Sequence, residues 1–203
     1  MSDSTSVLLR RARSGDANAL GRLLERHIAR LEAFVARRIS PGLRRQESSQ
    51  DLVQSILREA LRDFPRATPV DVGAFRAWLF VAADRKLKGR GRFWRRERRD
   101  PARELRLDGA ADTELSSKAR PQLAGQDTTP SRNASAREEI GRLVRAFASL
   151  PPDWREVILL ARVENLSHAQ IAARLGRSEL ATRSLLSRAL ARLATELEAD
   201  RSL

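Results

Sequence analysis

The chain of 203 residues contains no cysteine and no tyrosine, and aromatic residues make up only 4 % of it. Without cysteine it cannot form disulfides, zinc sites with thiolate ligands or a thiol nucleophile. Its hydrophobic cores must therefore consist mainly of Leu, Ala, Val and Ile. No apolar run is long enough to span a membrane, and residues 1–16 lack an apolar stretch of signal-peptide length. We therefore expect a cytoplasmic protein with no membrane insertion.

Histidine and lysine are also scarce. The two histidines, His27 and His168, offer no metal-ligand pair. His27 lies on an apolar stripe and is predicted to be structural, whereas His168 follows a capping residue and is predicted to be exposed. We expect no catalytic residues, no metal and no cofactor. Lysine occurs three times against 36 arginines, and arginine gives bidentate contacts to phosphate and bases that lysine cannot.

The positive charge is concentrated in the first half of the chain. The formal net charge is +13, of which residues 1–99 carry +12, residues 100–134 carry −1 and residues 135–203 carry +2. Much of the excess lies between Arg85 and Arg99. Such a basic patch indicates a polyanionic partner.

Helical periodicity appears in two zones, separated by a polar stretch rich in Pro, Gly, Ser and Thr. No run alternates long enough for a strand. The pattern predicts an all-α protein with two small helical domains, residues 1–99 and 135–203, joined by a flexible polar linker over residues 100–134. The linker could be a plain disordered tether or a segment threaded through a basic channel.

The first zone predicts four helices, over about residues 5–13, 16–39 and 48–64, and from Asp71 into the basic segment. Pro65 is expected to stop the third helix, and Leu61 is expected in its buried stripe. Gly89 and Gly91 leave open whether the fourth helix ends near residue 89. In the last zone, Ser135 is predicted to open a helix through a capping box.

A helix-turn-helix is the most specific pattern in the chain. Ser167 and Gln170 form a second predicted capping box before a short helix, Gly176 suits the left-handed turn, and Ser178 can cap a longer helix. An ordinary αα-hairpin is the alternative. In a helix-turn-helix, polar residues early in the second helix face the major groove, where arginine reads guanine edges. These candidates are Arg183, Ser184, Ser187 and Arg188.

Residues 150–197 resemble region 4 of extracytoplasmic-function (ECF) sigma factors. That family has an L-P-x-x-x-R-E-V start, a G-x-S-x-x-E-I-A helix, an L-G turn and a T-V-x-S-R-L-x-R-A recognition helix. The matching residues are Leu150, Pro151, Arg155, Glu156, Val157, Ser167, Ile171, Ala172, Leu175, Gly176, Ser184, Leu186, Arg188 and Ala189. Asn165 stands where the family usually has Gly, Gln170 where it has Glu, and Leu185 where it has a basic residue.

Residues 50–80 resemble region 2 of the same family, with its D-L-V-Q and F-R-x-W-L helices, in the right order. The resemblance implies a promoter-specificity subunit of bacterial RNA polymerase, which binds the polymerase core and promoter DNA. An anti-sigma factor is a common partner in the family. Region 2 would dock on the polymerase through the polar face formed by Asp51, Gln54, Arg58 and Arg62, which could otherwise be a solvated surface.

The basic segment would then meet promoter DNA near the minus-10 element, where melted bases can stack on aromatic rings. Its candidate residues are Arg85, Lys86, Lys88, Arg90, Arg92, Phe93, Trp94 and Arg95. Phe93 and Trp94 could instead pack in the core. Region 4 would hold the minus-35 element and dock on the flap tip of the polymerase, with Val157, Leu160 and Leu166 as candidates that could also be core.

Three other functions are compatible with parts of the sequence. A helix-turn-helix regulator that is not a sigma subunit would share the C-terminal motif. A basic RNA-binding protein would explain the charge of the first half but not the helix-turn-helix. A site-specific recombinase would need a serine or tyrosine nucleophile within an arginine cluster, and the chain has no tyrosine.

Overall fold

The computed structural model describes residues 4–97 and 130–200. These residues form ten α-helices and no strand, which confirms the all-α prediction for the part of the chain described. The helices are α1 (Thr5–Arg13), α2 (Ala17–Glu25), α3 (Ile28–Arg38), α4 (Pro41–Arg44), α5 (Ser49–Ala67), α6 (Val72–Glu97), α7 (Pro130–Ala148), α8 (Pro152–Arg162), α9 (His168–Leu175) and α10 (Glu179–Ala199).

The prediction of one helix over residues 16–39 was wrong, because the chain turns between α2 and α3. Arg26 and His27 have φ, ψ values of −62°, −16° and −108°, −3°, close to those of a type I turn. His27 is buried, its Nδ1–H donates to the carbonyl of Leu23 at 2.9 Å, and its ring packs edge-on against Phe75. Neither Gly nor Pro marks this turn, so sequence punctuation gives no sign of it.

Helix α5 continues through Pro65 to Ala67, so the predicted stop at Pro65 was wrong. In the last turn the missing proline N–H removes only one helical hydrogen bond. The helix ends where Thr68 adopts a left-handed conformation with φ of 38°. Leu61 was predicted to be buried, but 45 % of it is exposed. The side of α5 that faces the core carries Ile56, Ala60 and Phe64, and Leu61 lies outside it.

Helix α6 spans 26 residues and passes through Gly89 and Gly91 without a break. Its first three turns bury Phe75, Trp78, Leu79 and Phe80, and burial continues at Ala83 and Leu87. The core position predicted for Trp78 is thus confirmed. The last two turns of α6 carry the arginine-rich sequence and are mostly exposed or half-buried.

Helix α7 begins at Pro130, so the predicted capping box at Ser135 was wrong and Ser135 lies inside the helix. Proline suits a first helical turn, where its N–H would have no partner. The predicted break at Leu150, Pro151 and Pro152 is confirmed, since α7 ends at Ala148 and α8 starts at Pro152.

The two halves of the chain pack directly on each other. One hydrophobic cluster joins Phe34 and Phe80 of the first half to Phe147 and Leu159 of the second. A second cluster places Val144 of α7 against residues of α1, α2 and α6, including Leu79. Helix α6 is the common element, because it contacts α3, α5, α7 and α8.

Candidate nucleic-acid interface

Helices α9 and α10 form the predicted helix-turn-helix. The Ser167 hydroxyl accepts from the backbone N–H of Gln170 at 3.2 Å, and the Gln170 side chain accepts from the N–H of Ser167 at 2.9 Å. Gly176 ends α9 with φ of 63°, and Ser178 caps α10 through the N–H of Ala181. Both predicted caps and the predicted left-handed glycine are therefore confirmed.

A shared core fixes the angle between these two helices. Ile171, Ala172 and Leu186 are buried, and the partly buried Leu175, Leu190 and Leu193 pack against the same cluster. Leu185 is only 4 % exposed, so the position where the family carries a basic residue faces the core in this chain. Thr182 is fully buried, and its hydroxyl donates to the carbonyl of Ser178 at 3.0 Å.

The opposite face of α10 is free of core contacts. All four candidate minus-35 residues lie on it and are exposed: Arg183, Ser184, Ser187 and Arg188. Arg183 forms an ion pair with Glu179 at 2.6 Å, and Arg188 donates to the carbonyl of Ser184 at 3.3 Å. These contacts are local to one helix and well solvated, so both guanidinium groups can exchange them for DNA at small cost.

The candidate minus-10 residues fall into two groups on α6. One group is engaged with acidic residues: Arg85 with Glu139 at 2.8 Å, Lys86 with Glu59, Lys88 with Asp84 at 2.6 Å, and Arg90 with Glu47 at 2.5 Å. The other group, Arg92 and Arg95, is exposed and forms no ion pair within the described residues. The charge available to a phosphate backbone therefore lies towards the end of α6.

Phe93 and Trp94 occupy different environments. The indole N–H of Trp94 donates to Glu47 at 2.6 Å, and the ring packs against the core cluster, which supports the core alternative for this residue. Phe93 is half-buried, lies edge-on to Trp94 with ring centroids 5.1 Å apart, and stacks with the guanidinium of Arg90 at 5.1 Å. Among the described residues, Trp94 packs against the core cluster and Phe93 does not.

Helix α5 presents a continuous polar face away from the core. Asp51, Gln54, Arg58 and Arg62 are all exposed at helical spacing. The Ser48 hydroxyl caps the helix and donates to Asp51 at 2.8 Å. The exposed Leu61 lies on the same face, between Arg58 and Arg62, and sequence patterning had assigned it to the core.

An ion-pair network, which the sequence did not predict, joins the two halves. Arg76 of α6 donates to Glu164 at 2.7 Å and to Glu156 of α8 at 3.5 Å. Arg174 also contacts Glu164, at 3.1 Å. Arg155 of α8 pairs with Asp71, which caps α6 through the N–H of Ala74.

The electrostatics of Asp71 follow from these contacts. Burial pushes the pKa of Asp71 up, but the hydrogen bonds from the Ala74 N–H and from Arg155 outweigh burial. The pKa of Asp71 therefore lies below its ordinary value of 3.8, and the carboxylate stays charged. The same balance holds for Asp63. Burial raises its pKa, but the hydrogen bonds and charges of Arg62 and of Arg137 on α7 lower the pKa by more, so it also lies below its ordinary value.

The end of α8 is also held by the first half of the chain. Arg37 donates to the carbonyl of Val163 at 2.9 Å, and Arg38 donates to the carbonyl of Arg162 at 3.0 Å. Carbonyls at a helix C-terminus have no helical partner and favour cationic donors. Of the three candidate flap contacts, Val157 and Leu160 are fully buried and Leu166 is partly buried against the same cluster, which supports the core alternative for these residues.

The turn after α8 explains one departure from the family pattern. Asn165 adopts a left-handed conformation with φ of 56°. Glycine adopts this conformation freely, and asparagine is among the few other residues that tolerate it. Asn165 is therefore compatible with a position where the family pattern has glycine.

Two further observations concern other kinds of site. In residues 4–97 and 130–200, no group of three or more acidic or histidine side chains could hold a metal ion. Over the same ranges, no helix combines the length and apolar character needed to cross a bilayer.

His168 is half-buried rather than exposed, whereas His27 is buried as expected of a structural residue.

Comparison with known proteins places these features in a family. The family model "Sigma-70, region 4" matches residues 140–193, which span the second half of α7, α8, α9 and most of α10. The chain is 32 % identical to RNA polymerase sigma factor CnrH of Cupriavidus metallidurans, covering 98 % of this chain and 96 % of that protein. It is 31 % identical to RNA polymerase sigma factor NccH of Alcaligenes xylosoxydans xylosoxydans, over 96 % and 95 % of the two chains.

A third relative and a solved structure are more distant. ECF RNA polymerase sigma factor SigD of Mycobacterium tuberculosis is 28 % identical, over 92 % of this chain and 80 % of that protein. The structure of CnrH in complex with the cytosolic domain of CnrY gives a TM-score of 0.37 and 26 % identity, over 98 % of this chain and 99 % of that one.

Proposed function

This chain belongs to the ECF group of RNA polymerase sigma factors, and from that membership we propose which of its surfaces performs each step of promoter recognition. As a sigma subunit it binds the bacterial RNA polymerase core and directs transcription initiation at promoter DNA. The observation that carries the assignment is full-length similarity to two sigma factors at more than 30 % identity.

We assign recognition of the minus-35 element to the outer face of α10. Arg183, Ser184, Ser187 and Arg188 line that face in the first three turns, where the recognition helix of a helix-turn-helix meets base edges. A bidentate arginine contact to guanine contributes about 1–3 kcal/mol of discrimination. Sequence choice therefore depends on a C-terminal half whose net charge is only +2.

Contact with the minus-10 region is assigned to the end of α6. Arg92 and Arg95, which form no ion pair with the other described residues, supply charge for the phosphate backbone, and Phe93 supplies a ring on which an unstacked base can stack. Four further cations join this surface when their acidic partners are displaced: Arg85, Lys86, Lys88 and Arg90. Trp94 supports the ring of Phe93. The proposed domains are residues 1–99 and 135–203, with a linker over residues 100–134 whose last five residues belong to α7, since that helix begins at Pro130.

Docking on the polymerase is assigned to the exposed face of α5. The opposite side of this helix is fixed in the core, so Asp51, Gln54, Arg58 and Arg62 are presented on a rigid support. The exposed Leu61 adds an apolar contact among these charges, a combination that is common at protein interfaces.

The remaining partner and localisation follow from this function. An anti-sigma factor is a proposed regulator, and the relative CnrH has been solved in complex with the cytosolic domain of CnrY. Because its partners are the polymerase and the chromosome, we propose a cytoplasmic location and a role without catalysis.

Two sets of variants test the surface assignments against each other. Arg58→Ala is expected to weaken binding to polymerase core severalfold in a titration while leaving minus-35 selectivity intact. Arg183→Ala and Arg188→Ala are expected to retain core binding and to relax minus-35 preference in selection from a randomised promoter library. If Arg58→Ala binds core normally, α5 is not the docking face. If both α10 variants select the same sequences as wild type, α10 does not read the minus-35 element.

A further inference from the structure

Leu180 is a large apolar side chain in an unusual position. It is 76 % exposed, more than Leu61 or Val70, the two other large apolar side chains that are exposed in the described residues. It is the second residue of α10, one turn before Arg183 and Ser184. Leu180 therefore lies on the face that we assign to minus-35 recognition.

Among the described residues, no contact gives Leu180 a structural role. The buried side of α10 consists of Thr182, Leu185, Leu186 and Ala189, which hold the helix against α8 and α9. The N-terminal turn is already fixed by the Ser178 cap and by the Glu179–Arg183 ion pair. Burying a leucine side chain is favourable, and Leu180 gains little of that stabilisation from the described residues because most of it is exposed.

One apolar group in the major groove can cover such a side chain. The edges of the four bases present hydrogen-bond donors and acceptors, and thymine alone adds a C5-methyl group. Residues at the N-terminus of a recognition helix are those that reach base edges. Given the proposed role of α10, we propose that Leu180 contacts a thymine methyl group in the minus-35 element and selects thymine at that position.

The spacing along α10 places this thymine relative to the other contacts. One helical turn advances about 5.4 Å, and one base pair advances about 3.4 Å along the duplex. Leu180 is one turn from Arg183 and Ser184. The thymine therefore lies about one or two base pairs from the base that Arg183 contacts.

Replacing thymine with uracil tests this contact, because uracil lacks only the methyl group. The preferred minus-35 element is first selected from a randomised library by wild-type holoenzyme. Each thymine is then replaced singly by deoxyuridine, and holoenzyme affinity is measured for wild type and Leu180→Ala. Val70→Ala is the matched control, since it removes an exposed apolar side chain from the opposite half of the protein, outside the surfaces assigned to polymerase and DNA.

We expect uracil at one position to weaken wild-type binding about fourfold, the effect of losing one buried methyl-sized group. Leu180→Ala should be insensitive to the same replacement, and Val70→Ala should behave as wild type. Two results would overturn the proposal: a selected element without thymine at that spacing, or equal losses for wild type and Leu180→Ala. If the selected element still depends on Arg183 and Arg188, only the Leu180 contact fails. If no minus-35 preference is found at all, the role of α10 fails as well.

Discussion

Replacing Arg76 by methionine should loosen the packing between the two halves of the chain. Arg76 is on α6, its side chain is only 12 % exposed, and it contacts Glu156 and Glu164 in the second half. Methionine keeps much of the side-chain volume but removes both ion pairs. The Glu164 side chain is only 14 % exposed, and without Arg76 it would have fewer cationic partners to offset the cost of burying its charge.

The size of the effect follows from what Glu164 retains. Removing one partner of a fully buried ion pair costs about 3–5 kcal/mol, because the other charge stays buried without compensation. Glu164 still contacts Arg174 at 3.1 Å and Arg30 at 4.0 Å, so part of that cost is avoided. The Nε of Arg76 has no hydrogen-bond partner among the residues that the structure describes, so the native pair is itself imperfect. We therefore expect a loss of about 2–3 kcal/mol for Arg76→Met.

Two measurements can detect this loss of stability. Urea denaturation, monitored by tryptophan fluorescence, gives the free energy of unfolding. Because the chain has no native cysteine, single dye labels can be placed at Ala33→Cys and Ala191→Cys, both on exposed positions in opposite halves. Energy transfer between the dyes then reports the docked population, whose ratio to the undocked form should fall roughly 30- to 150-fold.

A surface arginine provides the control. Arg192 pairs with Glu196 within α10 and is well exposed, so Arg192→Met should cost less than about 1 kcal/mol and leave energy transfer unchanged. If Arg76→Met matches this control in both measurements, the Arg76 network does not hold the halves together and the reasoning is refuted.

Three other predictions concern a turn, a buried ring and the basic segment. Asn165→Ala should lower stability by about 1 kcal/mol in thermal unfolding, because φ is 56° there, while Asn165→Gly should cost nothing; equal effects would contradict the left-handed turn. Burial lowers the pKa of His27 from 6.5, so the folded chain binds fewer protons and stability falls as pH drops below about 6.5, by at most about 1.4 kcal/mol per pH unit. His27→Asn should abolish that decline in stability between pH 5 and 7. If stability still falls over this range in the variant, a group other than His27 causes the decline. Arg95→Ala should reduce the salt dependence of holoenzyme binding by about 0.7–0.9 in log–log slope, and an unchanged slope would remove Arg95 from the DNA contacts.

Local signals predicted the helix-turn-helix well. Capping residues and a left-handed glycine act over three or four positions, so Ser167, Gln170, Gly176 and Ser178 could be placed from sequence alone. The periodicity of α10 likewise separated its buried face from the four exposed candidates. Leu180 was missed because a single exposed leucine has no periodic signature.

Features that depend on contacts between distant residues could not be predicted. The turn at His27 is stabilised by packing against Phe75, 48 positions away in sequence, and no turn residue marks it. The Arg76–Glu164 pair joins residues 88 positions apart, in a chain where arginine occurs almost everywhere. The exposure of Leu61 depends on which helices cover α5, which periodicity alone does not determine.

Reconstituted transcription tests the central claim most directly. Polymerase core lacking any other sigma subunit is combined with this chain on a library of genomic fragments, and the 5′ ends of the transcripts are mapped. We predict discrete start sites preceded by two common sequence blocks. In the double variant Arg183→Ala, Arg188→Ala, only the upstream block should lose sequence preference. Initiation no more specific than that of core alone would contradict the account.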